Sequence, residues 1–287
     1  MLASLAGVLF DGFAYGMLLF LLSVGLSVTL GMMNFVNLAH CSFAMVGGYA
    51  TVTLMNRFGW PFLATLPMAF LLGSLVSIVL ERTLYRRLYR ASDLDQCLLT
   101  IGIVFISVAA FAWFYTTEQQ SARPPEWLRG RIELAGMSFA VYRLFLIVFG
   151  LAVTAALVYG LEYTRFGATV RAAVDNQRMA RGLGIDVDRA FMLTFALGGG
   201  LAGLGGALAI EVVGLDPSFA LAFLVYVLIV VAVGGLGSIG GSFAAAAVLG
   251  ISDMAGKYYF PWLGAFLIYL VMVGLLMWRP QGLFGRR

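Results

Sequence analysis

The chain has a single histidine, His40, and Cys41 and Ser42 stand directly beside it. A thiol or hydroxyl activated by a histidine base is the chemistry such a trio invites. Residues at i and i+1 on a helix point in different directions, however, so adjacency alone supplies no dyad. A zinc site would need several His, Cys or carboxylate ligands at metal-binding spacing, and no such motif occurs. The run Gly235-Leu236-Gly237-Ser238-Ile239-Gly240 fits G-x-G-x-x-G. A dinucleotide site would also need a preceding strand and an acid about 20 residues on. The next acid, Asp253, is only 13 residues past Gly240. A tight helix–helix turn explains these glycines better, with Gly235, Gly237 and Gly240 expected to serve helix packing. No G-x-x-x-x-G-K-[ST] run is present, so the chain lacks that phosphate-binding loop. An enzyme is not expected.

What remains is Asn34-Phe35-Val36-Asn37-Leu38-Ala39-His40, a polar cluster inside the longest uncharged stretch of the chain. Asn34 reads as a helix cap. Asn37 and His40 can either cap helix ends or line a solute path, since polar groups at membrane depth are costly unless they serve a function. Asp253 and Lys257 stand four apart and can neutralise each other near a helix end. Glu211, Asp216 and Pro217 read as an external loop.

The elements that must carry these residues follow from composition. Of 287 residues 62% are hydrophobic and 11% charged, where a soluble domain has about 25% charged residues. Such a chain cannot clothe a soluble fold, which excludes a cytosolic enzyme, a secreted disulfide scaffold and a disordered chain. Charge-free windows run over 12–56, 58–80, 96–117, 144–161, 190–210, 217–252 and 258–278. A spanning helix needs about 20 apolar residues, so the first and sixth windows can each hold two. The expected fold is all-α: a polytopic membrane protein with eight or nine transmembrane helices, forming one domain over 1–287. The start, MLASLAGVLFDGF, has no basic region, and no cleaved signal peptide is expected. Cys41 and Cys97 lie in apolar windows and read as small buried residues.

Lys257 is the only lysine, so the excess of positive charge is almost all arginine. Arg82, Arg86, Arg87, Arg90, Arg165, Arg171, Arg178, Arg181, Arg189, Arg279, Arg286 and Arg287 fall in one set of loops. Arg57, Arg123, Arg129, Arg131, Arg143 and Lys257 fall in the other. The positive-inside bias puts the first set, and with it the C-terminus, in the cytoplasm. This charge is a topology signal, and no nucleic-acid partner is implied. Arg82, Arg86 and Arg90 form one stripe suited to lipid phosphates. Residues 118–140, with Pro124-Pro125 and Trp127, read as an external loop at the headgroups. Arg279-Pro280-Gln281-Gly282 stops the last span.

The segment 164–190 stands out. Helix formers run from Ala168 to Arg181, and Gly182 and Gly184 then terminate the run. Fourteen helical residues span about 21 Å. Val170, Ala173, Val174 and Leu183 can make an apolar side, while Arg171 and Asp175 are spaced to pair and Arg178 extends the polar side. Such a helix can lie on the membrane surface or dock into a groove on a soluble partner; the pattern favours neither. Downstream, Gly199, Gly203 and Ala207 recur every four residues and permit close helix packing.

Together these stretches resemble the membrane permease subunits of bacterial ABC importers for branched-chain amino acids and related small polar solutes, in particular the smaller of the two permease types. The resemblance is carried by GLSVTLGMMNFVNLAHCSFAMVGGY (25–49), FGATVRAAVDNQRMARGLGIDVDR (166–189), VAVGGLGSIGGSFAAAAVLG (231–250) and the terminal RPQGLFG (279–285). It implies that 164–190 is a cytoplasmic coupling segment docking on an ATP-binding subunit, with Phe166, Gly167, Arg171, Asp175, Asn176, Arg178, Arg181 and Gly184 as contact or shaping residues. It implies further partners: a second permease, homologous or identical, two ATP-binding subunits and an extracytoplasmic solute-binding protein, all at the cytoplasmic membrane. The chain itself would bind no cofactor, and ATP would sit on the partners. Solutes such as urea, amides and carboxylates stay within the implied range. After His40 the family commonly has Gly and then an acid, where this chain has Cys41 and Ser42. The competing class is a self-contained secondary transporter or channel, which should show intramembrane acids or paired interrupted helices.

Overall fold

The computed structural model describes residues 2–89, 91–134 and 137–285. Arg90, Arg286 and Arg287, three of the basic residues used for orientation, lie outside the described residues. The chain is built of α1 (Leu2–Met33), α2 (His40–Phe58), α3 (Phe62–Leu80), α4 (Asp93–Tyr115), α5 (Val141–Glu162), α6 (Arg165–Asp175), α7 (Gln177–Gly182), α8 (Val187–Val213), α9 (Phe219–Gly234), α10 (Ile239–Tyr259) and α11 (Gly264–Trp278). Stretches within α1, α3, α4, α5, α8 and α10 are long and apolar enough to cross a membrane, and α9 and the apolar part of α11 are shorter. The polytopic helical fold is as expected. The two long windows do divide, the first at residues 34–39 and the sixth at 235–238.

The loop at 118–140 is more ordered than expected. It holds a short helix, Glu126–Arg129, and a hairpin of β1 (Arg131–Leu134) on β2 (Met137–Ala140), antiparallel with Arg131 opposite Ala140. A single π turn, Glu81–Tyr85, follows α3. The turn between α9 and α10 needs positive φ at Gly235 (+93°) and Gly237 (+77°), and the Ser238 hydroxyl caps α10 by accepting from the Gly241 amide at 3.0 Å.

Helix α1 lies at the centre of the bundle, its spanning window 89% buried, with α8 at 78% beside it. Glycine lets these helices touch backbone to backbone. A Cβ on Gly203 would sit 2.5 Å from the Ala69 carbonyl oxygen of α3, and one on Gly12 would sit 2.6 Å from the Ile251 Cα of α10. Gly25 meets Gly198, Gly73 meets Gly199, and Gly206 meets the Ala44 carbonyl of α2, each with no room for a methyl group. Lipid tails are as apolar as leucine, so close van der Waals contact, rather than exclusion from water, drives association here. Ala207, the third member of the small-residue series, is fully buried. Gly240 departs from its expected packing role: it is exposed and nothing lies near it, whereas Gly241 packs on Gly234.

Candidate functional site

Two places hold the residues singled out by the sequence. The first is 164–190. Thr164 opens α6, its hydroxyl accepting from the Gly167 amide at 3.4 Å, and Gly167 lies so close to the Leu161 carbonyl that only hydrogen fits. The expected single helix from Ala168 to Arg181 is instead two. Asn176 leaves the helical region (φ −153°, ψ 94°) and its side-chain oxygen accepts from the Met179 amide at 2.9 Å, capping α7. Asparagine offers the backbone a local alternative to the helix, which is why the run breaks there. The Ile185 amide bonds the Ala180 carbonyl at 3.0 Å, and Gly184 takes φ +82° as the segment turns into α8.

The apolar side of this module is covered by the chain's own residues. Val170 and Ala173 are buried against Ala180, Val187, Ala190 and Phe191, with Phe166 and Val174 packed at the edge. Leu183 does not join them; it is 76% exposed, and Met179, one turn earlier, is 64% exposed. Arg171 does not pair with Asp175. Its guanidinium donates to the Leu161 and Glu162 carbonyls at the end of α5, a favourable place for a cation because the last carbonyls of a helix lack partners. Arg181 bonds Asp188 at 3.1 Å, and Arg86 reaches the same carboxylate, tying the module to the segment after α3. Asp175, Asn176, Arg178, Met179 and Leu183 are left on the exposed side, and neither Asp175 nor Arg178 has an ion-pair partner among the described residues.

The second place is the break between α1 and α2. Asn34 adopts φ +50° and ends α1. The amides that the break would strand find side chains: Val36 donates to the Gln96 side-chain oxygen at 2.9 Å and Leu38 to the Thr100 hydroxyl at 3.2 Å, as non-helical backbone shielded from water requires. Asn37 Oδ1 accepts from the Ala39 amide (3.1 Å) and the Tyr85 hydroxyl (3.3 Å). Its Nδ2 has no hydrogen-bond partner among the described residues. His40 turns the other way, with Nε2 3.1 Å from the Leu22 carbonyl of α1, so that nitrogen carries the proton and donates. Ser42 meets Ser107 at 2.7 Å. His40 and Ser42 thus serve different neighbours, and the side chains of Asn37 and His40 bond to different helices.

The sequence matches the family described as branched-chain amino acid transport system / permease component over residues 8–276. The chain belongs to that family. It is 28% identical over 286 residues to the probable branched-chain amino acid transport permease protein LivH of Methanocaldococcus jannaschii, covering 94% of this chain and 90% of the relative. It is 23% identical over 296 residues to the high-affinity branched-chain amino acid transport system permease protein LivH of Escherichia coli (97% and 94%) and 25% identical over 298 residues to BraD, the corresponding permease protein of Pseudomonas aeruginosa (97% and 95%). No solved structure matches. The family match spans both places described above and stops short of the terminal RPQGLFG. That tail packs back on the glycine turn, the Leu283 and Phe284 amides donating to the Val233 and Gly234 carbonyls at 2.7 and 3.2 Å.

Several polar partners lay outside the sequence reading. Glu81 is buried and accepts from the Tyr89 hydroxyl at 2.7 Å. Burial first, and then this bond, hold the Tyr89 phenol far above its ordinary pKa. Glu81, Tyr85 and Tyr89 recur every four residues, a spacing that could have shown one polar face turned inward. Asp253 is buried and pairs with Lys257 at 2.6 Å, as the spacing suggested. Among the described residues no group of three or more His, Cys, Asp or Glu side chains is placed to hold a metal ion.

Proposed function

We propose that this chain is the permease subunit of an ATP-driven importer for branched-chain amino acids or related small polar solutes. It spans the cytoplasmic membrane with its C-terminus inside, forms part of the translocation path and takes its energy from separate ATP-binding subunits. A second permease and an extracytoplasmic binding protein complete the assembly. The chain is a non-catalytic component that binds no nucleotide itself.

The observation that carries the coupling role is the division of 164–190 into two sides. One side is fixed: Val170 and Ala173 are buried on α8, Arg171 holds the end of α5, and Arg181 holds Asp188. The other presents Met179 and Leu183 beside Arg178 and Asp175, which have no ion-pair partner among the described residues. A helix lying on lipid would turn its apolar side outward to the membrane; here that side is already occupied. An exposed apolar pair rimmed by charges suits a groove on a protein partner, and a module fixed at three points can pass a partner's movement to α5 and α8.

A self-contained transporter is the competing class. The buried acids Glu81 and Asp253 would be its natural proton or ion sites, but Glu81 is bonded by Tyr89, and Asp253 is neutralised by Lys257 through Oδ2, with only Oδ1 lacking a partner among the described residues. The test is co-purification in mild detergent after expression with the candidate partner subunits. The parent chain should recover ATP-binding subunits, and the Met179→Asp/Leu183→Asp variant, which changes only exposed side chains, should lose them while keeping its own size-exclusion profile. Equal recovery by parent and variant contradicts the assigned surface. A parent that recovers no ATP-binding subunit and transports in liposomes without ATP contradicts the importer.

A further inference from the structure

The chain has two separate buried cores. One fills the bundle; the other is small, lies under the 164–190 module and holds Val170, Ala173 and Phe191. Among the described residues, Met33 at the end of α1 and Tyr89 are the two partly buried hydrophobics packed against both cores. Packing contact between the module core and the bundle core therefore runs through these two side chains. The Arg86–Asp188 and Arg181–Asp188 pairs run alongside, but their side chains are half-exposed, and ion pairs in that setting contribute little.

Tyr89 is placed as a bridge. Its ring makes near-perpendicular contacts with Phe191 of the module core (centroids 5.6 Å apart, planes at 86°) and with Phe35 in the break between α1 and α2 (5.8 Å, 85°). Phe35 is buried, and the break around it rests on the segment that carries Tyr89. The Tyr85 hydroxyl bonds Asn37, and Gln96 accepts from the Val36 amide while donating to the Leu88 carbonyl at 3.2 Å.

What holds the Tyr89 ring is an acid. Its hydroxyl donates to Glu81 Oε1 at 2.7 Å, across the π turn Glu81–Tyr85. Glu81 is 2% exposed and has no ion-pair partner among the described residues. Burying a carboxylate without a cation is costly, and an apolar pair of the same shape would pack there without loss. The bond has a use if it fixes the ring. A close-packed side chain held at its tip transmits a displacement, whereas one free to change rotamer absorbs it.

We propose that Tyr89, anchored by Glu81, is the positioning residue that carries the module's movement to the break between α1 and α2. This rests on the importer reading above and adds where the movement goes. When the ATP-binding partner displaces the module, Phe191 moves with it, the Tyr89 ring tilts about its bonded hydroxyl, and Phe35 is pushed in turn. The break responds because side chains, in place of a helix ladder, hold its backbone.

The experiment measures ATP hydrolysis and uptake of radiolabelled leucine in the same proteoliposomes, with the assembled complex. Tyr89→Phe keeps the ring and removes its anchor. Uptake per ATP should fall about fivefold, the worth of one hydrogen bond, with recovery of the ATP-binding subunits unchanged because Met179 and Leu183 are untouched. Tyr142→Phe is the control: its hydroxyl also donates to a buried carbonyl, that of Leu208 at 2.8 Å, but near the opposite end of α8. It should lower the melting temperature in detergent as much as Tyr89→Phe does and leave uptake per ATP unchanged. Glu81→Gln retains an oxygen for the Tyr89 hydroxyl and should keep the parent's uptake per ATP, whereas Glu81→Leu should match Tyr89→Phe. Unchanged uptake per ATP in Tyr89→Phe would mean that α8 carries the movement alone, through Phe195 against Phe35 (5.6 Å), and overturns the proposal. An equal fall in Tyr142→Phe, or a Glu81→Gln as defective as Glu81→Leu, overturns it too. No ATP-driven uptake by the parent complex would instead contradict the importer reading, a failure separable from that of the bridge.

Discussion

The seam between α2 and α4 and the contact of α8 with α1 and α3 are both helix interfaces in one bundle, and both use side-chain bonds to backbone, but only the second adds direct backbone contact. Around α8 the helices meet at glycine, with backbone on backbone at Gly203–Ala69, Gly198–Gly25 and Gly199–Gly73. Where side chains do cross, they bond backbone: Ser74 and Ser77 of α3 donate to the Ala196 and Phe195 carbonyls at 2.8 and 2.7 Å. At α4 the helices are bridged by side chains, hydroxyl to hydroxyl and ring to ring. Close backbone contact has one good geometry, because any shift drives atoms into overlap or opens a void. Side-chain bridges can be exchanged for others of similar energy. Backbone contact makes a joint with one setting, whereas side-chain bridges leave a joint that can be re-made.

The contrast can be broken experimentally. The largest effect is expected at Gly203→Leu, where even the Cβ would overlap the Ala69 carbonyl of α3; no monodisperse protein should be recovered by size-exclusion chromatography, and a normal profile would mean the core is not in backbone contact. Gln96→Ala comes next. It strands the Val36 amide and should cost about 1–3 kcal/mol, read as a lower melting temperature in detergent with folded protein still recovered. A loss as complete as that of Gly203→Leu would show the seam to be as rigid as the core. Ser107→Ala should be smallest, since interhelical polar contacts in membranes average about 0.6 kcal/mol; a drop matching Gln96→Ala would make the Ser42 bridge a structural anchor.

Much of the body of the fold was legible in the sequence. Charge-free windows bound the spans because a charge inside lipid is costly, and the two over-long windows divide where Asn34 and Gly235 take positive φ. The four-residue series of Gly199, Gly203 and Ala207 marked a packed face. The candidate sites were less legible, for reasons that differ by residue. Arg171 was matched with Asp175 because the i, i+4 rule sees only one helix, whereas its partners are carbonyls of α5. Asn176 differs from a good helix former by only about 0.7 kcal/mol in intrinsic propensity, too little to show a break that its side-chain cap makes favourable. Gln96, Thr100 and Ser107 are ordinary residues one at a time; their meaning lies in a parallel pairing with residues 60 to 65 positions earlier, which local spacing does not encode.

The central claim is that movement enters this chain through the exposed side of 164–190. It is tested most directly by measuring ATP hydrolysis and leucine uptake together, in one set of proteoliposomes, for the assembled parent complex and for Met179→Asp/Leu183→Asp at subunit concentrations high enough to force assembly. The expected result is uptake per ATP at least tenfold lower in the variant, with hydrolysis persisting and the chain still folded. An unchanged ratio of uptake to hydrolysis would contradict the assignment of that surface.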